Sequence, residues 1–125
     1  MVKYFSEKFF RQIEESLNSN EQFAESVRDL ETTILLVSED PDISFLLSIT
    51  DGKASVAKAS PDEAAEFKLI APYDEWVGTA KGEESLTRLV MSGKMKFKGS
   101  MSKMMFYMPK LRGIEDALKE IQKEF

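Results

Sequence analysis

Ile43, Phe45, Leu47 and Ile49 alternate with Ser44, Leu46, Ser48 and Thr50, and Asp51-Gly52 follows directly. A period of two puts the first set on one face of a β-strand and the second on the other. Asp-Gly suits the type I′ turn, whose two central residues both need positive φ. The segment 43–58 therefore reads as a hairpin, with Lys53 to Lys58 as the returning strand. Before it, Thr32 to Glu39 (TTILLVSE) is rich in β-formers and ends at the turn cluster Asp40-Pro41-Asp42. After it, the loop Ser60-Pro61-Asp62-Glu63 leads to Glu66–Ala71, with Phe67 and Leu69 on one face. Four consecutive strands predict an antiparallel meander.

On both sides of this block the apolar period changes to that of a helix. Phe5, Phe9, Ile13 and Leu17 are spaced by four, with Ser6 as N-cap and Glu7 in the first turn. A second helix over Glu21–Leu30 turns Phe23, Val27 and Leu30 inward. Pro72 opens a third, with Tyr73, Trp76 and Val77 on its apolar side. A fourth spans Glu83–Ser92, points Leu86, Leu89 and Val90 inward and stops at Gly93. Lys94–Lys98 returns to period two, with Met95 and Phe97 on one face and three lysines on the other. Met101, Met104, Met105 and Met108 then fall at i, i+3, i+4 and i+7, and Pro109 ends that helix. Ile114, Leu118, Ile121 and Phe125 share one face of a last helix. The order αα-ββββ-αα-β-αα predicts one α+β domain over residues 1–125. Its five-stranded, mostly antiparallel sheet is covered on one face by helices.

Composition narrows the function. The 125 residues contain neither cysteine nor histidine. Disulfides, thiolate metal sites and the commonest general base near neutral pH are absent together. An enzyme is therefore not expected, and no sequence pattern implies a cofactor. Glu39, Asp40 and Asp42 flank a proline and read as turn chemistry rather than metal ligands. No apolar run approaches a membrane span, and the first residues lack the pattern of a secretory signal. A cytoplasmic protein is the expectation.

The charge is distributed unevenly. The net charge is −5, from 17 basic and 22 acidic residues. Ser85–Ile114 contains seven basic residues and no acidic one, which leaves −12 on the remainder. The same window holds every methionine except Met1. Methionine is flexible and polarizable, so it fills gaps in a core or lines surfaces that accept varied shapes. Phe106 and Tyr107 lie off the methionine stripe, so that helix is apolar on more than one side and is either buried or faces something besides its own core. Lys94, Lys96 and Lys98 either guard an edge strand or, with Lys103 beside them, contact an anionic membrane or headgroup. Nucleic acid is disfavoured by the acidic remainder and by the lack of interleaved aromatics. Trp76 reads as core or as a ligand platform.

Two stretches carry a family resemblance. Phe67-Lys68-Leu69-Ile70 followed by Pro72-Tyr73-Asp74-Glu75-Trp76 resembles a strand and helix of the sterol carrier protein type 2 family. So does Leu89-Val90-Met91-Ser92-Gly93 followed by Lys94-Met95-Lys96-Phe97-Lys98-Gly99-Ser100-Met101. The order of elements is similar over nearly the whole chain. The resemblance implies a hydrophobic tunnel that binds sterols, fatty acids or acyl-CoAs and carries them between membranes without catalysis. Carried over by position, its lining would be Leu86, Val90, Met95, Phe97, Met101, Met104, Met105 and Met108, with Trp76 nearby. Phe45, Leu47, Phe67 and Leu69 would come from the sheet. The final Gln122-Lys123-Glu124-Phe125 lacks the peroxisomal Ser-Lys-Leu signal common among eukaryotic members. The expected partner is a lipid or fatty acyl molecule, with transient contact to an anionic membrane, in a monomer or weak homodimer. The alternatives are a protein-interaction module and an accessory domain of a lipid- or acyl-CoA-handling enzyme.

Overall fold

The computed structural model describes residues 1–125. Strands β2 (Thr32–Glu39), β3 (Asp42–Thr50), β4 (Lys53–Ala59), β5 (Phe67–Ala71) and β6 (Lys96–Lys98) form one sheet in the order β4-β3-β2-β5-β6. The β3–β4 turn has positive φ at both Asp51 (52°) and Gly52 (75°), as the hairpin signal requires.

The connection after β4 departs from the expected meander. Strand β5 does not pair with β4; it pairs in parallel with β2, matching Ile34 to Phe67 and Leu36 to Leu69. The reason lies in β2 itself. Ile34-Leu35-Leu36-Val37 is an uninterrupted apolar run, and all four residues are buried. Such a strand belongs at the centre of a sheet, apolar on both faces. A meander would have left it at the edge. The chain from Ala59 to Phe67 therefore runs across the sheet. Lys68, which points away from the helices, donates to the Pro61 carbonyl at 2.9 Å, which holds this segment over the sheet's outer side.

The helices lie on the other side. In α1 (Glu7–Asn18) the predicted stripe Phe9, Ile13 and Leu17 is buried, together with Phe10, and the Ser6 hydroxyl caps the Phe9 N–H at 3.2 Å. This helix also shields the free edge of β4. Asn18 exchanges two hydrogen bonds of 2.8 Å with Ala54, and Glu14 accepts from the Val56 N–H at 2.7 Å. The unpaired amides of an edge strand are thereby occupied. Helix α2 spans Glu21–Ser26, shorter than expected, yet Phe23, Val27 and Leu30 are all buried. Helices α3 (Tyr73–Ala80), α4 (Leu86–Ser92) and α5 (Met101–Tyr107) follow. A 3₁₀ turn over Met108–Leu111 contains Pro109 and leads into α6 (Arg112–Glu120).

The last helix is also shorter than its apolar spacing predicts. It stops at Glu120, where the Lys123 ammonium donates to the carbonyls of Leu118 (2.7 Å) and Lys119 (2.9 Å). A lysine on the last carbonyls satisfies a helix end and opposes its dipole. Lys123–Glu124 (β7) then pairs in parallel with Val2–Lys3 (β1), and the Phe125 ring meets the Tyr4 ring at 5.3 Å. Tyr4 is buried and donates to the Trp76 carbonyl at 2.8 Å, while the Trp76 indole donates to the Val37 carbonyl at 3.0 Å. These bonds fix α3 between the amino terminus and the central strand.

Candidate apolar ligand cavity

The sheet registers place one set of apolar side chains in a row on the helix-covered face. Ile34 faces Leu47, Leu36 faces Leu69, and Leu69 faces Phe97. Ile34, Leu36, Leu47, Leu69 and Phe97 form the floor of a cavity. Leu86, Val90 and Met91 of α4 form one wall, and Met101, Met104, Met105 and Met108 form another. Leu111, Ile114 and Leu118 close the far side, and Trp76 stands at one end. Of the 19 lining residues 16 are hydrophobic, and the others are Thr87, Arg112 and Glu115.

Local sequence sets the walls. The Ser85 hydroxyl caps the Arg88 N–H of α4 at 3.1 Å, and Gly93 ends the helix with φ 82°. The Ser100 hydroxyl caps α5 through the Lys103 N–H at 3.2 Å. Gly99 precedes it with φ 129°, and a Cβ there would lie 2.7 Å from the Glu66 carbonyl oxygen. That close approach fixes where β6 ends and where α5 sets out across the sheet. Two of the polar lining residues are committed to structure. The Thr87 hydroxyl lies 3.7 Å from the Met108 sulfur, and the Glu115 carboxylate accepts from the Leu86 N–H at 3.1 Å. Arg112 is exposed and forms no ion pair.

The enclosed space is about 80 Å³. An apolar cavity of about 150 Å³ accepts a benzene ring. The space enclosed here is too small for a long acyl chain, which would fit only if the lining side chains moved. Met104 is buried, but Met105 and Met91 are 53% and 70% exposed. The outer wall therefore meets solvent at these two side chains.

Most side chains carried over from the resemblance meet here: Leu47, Leu69, Trp76, Leu86, Val90, Phe97 and the four methionines of the stripe. Phe45, Phe67 and Met95 do not line the cavity. Phe45 shares the sheet face but lies under α1, its ring 4.4 Å from that of Phe10. Phe67 is fully buried against the ring of Tyr107 at 5.7 Å. Met95 is tucked beneath α4, where its N–H donates to the Leu89 carbonyl at 3.0 Å. Each belongs to the core around the cavity. Sequence reasoning missed Ile34 and Leu36, because the continuous run in β2 does not say which residues face the helices. It also missed Ile114 and Leu118, although their helical spacing was plain.

The lysines on β6 and its flanks are exposed and largely partnered. Lys94 lies 4.0 Å from Glu84, Lys96 4.0 Å from Glu39, and Lys103 3.4 Å from Glu66. Lys98 stands opposite Lys68 in the β5–β6 register. Strand β6 is one of the two edge strands, which fits the edge-guarding reading of its lysines. No group of three or more Asp or Glu is arranged to hold a metal ion. No helix is long and apolar enough to cross a membrane.

A sheet roofed by short helices, with an apolar, methionine-lined cavity between them, fits the build of a small lipid-binding domain. The chain belongs to the SCP-2 sterol transfer family, whose model matches residues 10–112. No curated protein matches the sequence. Among solved structures, a crystal structure of sterol carrier protein 2 superposes with a TM-score of 0.85 at 17% identity, covering 94% of this chain and 98% of that one. A conserved hypothetical protein from Thermus thermophilus, described as possibly a sterol carrier protein, gives 0.82 at 14% identity, over 99% and 93%. Sterol carrier protein 2 from Aedes aegypti, solved in complex with the C16 fatty acid palmitate, gives 0.59 at 16% identity, over 90% and 98%. These likenesses show a shared fold.

Proposed function

We propose that this protein binds a single-chain lipid of the fatty acid or fatty acyl class and carries it between membranes without chemical change. The observation that carries this reading is the methionine wall: an apolar cavity beside the sheet, closed by unbranched side chains of which Met91, Met101 and Met105 are exposed to solvent. Rotating those side chains outward enlarges the space without moving a strand. Burying the ligand chain supplies the driving force, about 0.8 kcal/mol per CH₂. Arg112 is the polar lining residue not tied to the fold, and its guanidinium suits a carboxylate head at the mouth. The palmitate held by the Aedes aegypti protein supports a ligand of this class.

The test is ligand capture. Protein isolated under native conditions should carry lipid detectable by native mass spectrometry, and delipidated protein should take up a fluorescent fatty acid. Met105→Lys puts a charge into the wall at a half-exposed position, so it should leave the fold intact and abolish uptake. Equal uptake by wild type and Met105→Lys, or none by either, would overturn the reading.

A further inference from the structure

Exposed large apolar side chains are not scattered over this molecule. Apart from Met1 and Phe125 at the ends of the chain, they are Met91, Met101, Met105 and Phe106. Three of these line the cavity from outside, so the patch and the cavity mouth coincide. Phe106 projects beside it, 67% exposed, with the Lys110 ammonium 4.9 Å above its ring. Arg88 lies one helical turn before Met91 on α4, so both share one side of that helix. Arg88, Lys110 and Arg112 form no ion pair, unlike Lys94, Lys96 and Lys103.

From this arrangement we infer that the α4–α5 face docks on an anionic lipid bilayer, with Phe106 as the inserted anchor and Arg88 and Lys110 as the headgroup contacts. The inference rests on the carrier reading and supplies its partner. Apolar side chains ringed by unpaired cations match an interface whose surface is anionic and whose next layer is hydrocarbon. A second copy of the chain matches poorly. Face to face, it would bring two basic windows together. Head to tail, it would need an apolar counter-patch, and the other exposed large apolar residues are only the terminal Met1 and Phe125. Lys94, Lys96 and Lys103 are engaged by Glu84, Glu39 and Glu66, and unpaired Lys98 lies on edge strand β6 rather than on the α4–α5 face, so these lysines contribute little. Docked this way, the mouth would open into the acyl layer.

The experiment is vesicle co-flotation, with uptake of a fluorescent fatty acid from solution measured in parallel. Vesicles containing phosphatidylserine should carry the wild type, pure phosphatidylcholine vesicles should not, and added salt should release it. Phe106→Ser should weaken flotation about tenfold. Arg88→Gln and Lys110→Gln should each weaken it about fivefold. Lys96→Gln should change it less than about twofold. None of these four positions lines the cavity, so uptake from solution should match wild type. Wild type that ignores anionic vesicles overturns the docking inference, whatever its uptake. Self-association abolished by Phe106→Ser, without flotation, overturns it in favour of a homodimer. Flotation with the expected mutant pattern but no fatty acid uptake overturns the carrier reading and leaves docking standing.

Discussion

Tyr4 combines burial, a hydrogen bond to the Trp76 carbonyl and ring contacts with Phe5, Phe9, Tyr73 and Phe125. Burial, helped by the neighbouring Tyr73, pushes its ionisation far above the ordinary tyrosine range. Tyr73 is raised as well, mainly by desolvation and then by Asp74. The folded state therefore holds these phenol protons where the unfolded chain releases them. Stability from this source is complete below about pH 10 and falls as pH rises beyond it. Urea denaturation across the alkaline range should show that decline, and Tyr4→Phe should flatten it. Phe at position 4 should also cost about 1 kcal/mol at neutral pH, because the Trp76 carbonyl loses its partner. Met104 gives a second residue-scale test. It is the buried member of the stripe, so Met104→Ala should cost about 2–4 kcal/mol in stability. The same change enlarges the cavity, so it should speed fatty acid uptake in stopped-flow fluorescence.

Elements obey local signals until pairing decides. The hairpin at Asp51-Gly52, the caps at Ser6 and Ser85 and the stop at Gly93 all follow from side chains acting on their own neighbourhood. The partner of β5 does not. Its strand pattern was readable, but its place beside β2 depends on burying both faces of Ile34–Val37, a requirement of the assembled sheet. The same limit hid the sheet residues of the cavity. Alternation identifies two faces, and only the register assigns Leu36 rather than Leu35 to the cavity side. The methionine stripe was legible because helical spacing and composition coincide there. The last helix was overextended because Ile121 and Phe125 continue the stripe, while the Lys123 ammonium closes the helix ahead of them. Gly99 tests the junction between β6 and α5. Alanine there meets both positive φ and the Glu66 carbonyl, so Gly99→Ala should cost at least about 1–3 kcal/mol. Thermal unfolding and loss of fatty acid uptake would register it together.

At the scale of the molecule, the cavity and the fold share one core. The cavity floor is the centre of the sheet, and its roof is the last third of the chain. A ligand that binds only the folded state should raise stability by about 2.7 kcal/mol at a hundredfold excess over Kd. Palmitate should raise the Tm of the wild type and leave that of Met105→Lys unchanged. The small ribbon of β1 and β7 has a separate consequence. Its two strands run parallel, with the Tyr4 N–H bonded to the Glu124 carbonyl at 2.8 Å, and they hold the two ends of the chain side by side. Tension applied at Met1 and Phe125 would load these bonds along the strands, in shear, so they would share the force instead of parting one by one. In an optical trap the ribbon should act as a mechanical clasp. Cutting it by removing residues 122–125 should lower the rupture force before it changes anything at the cavity floor.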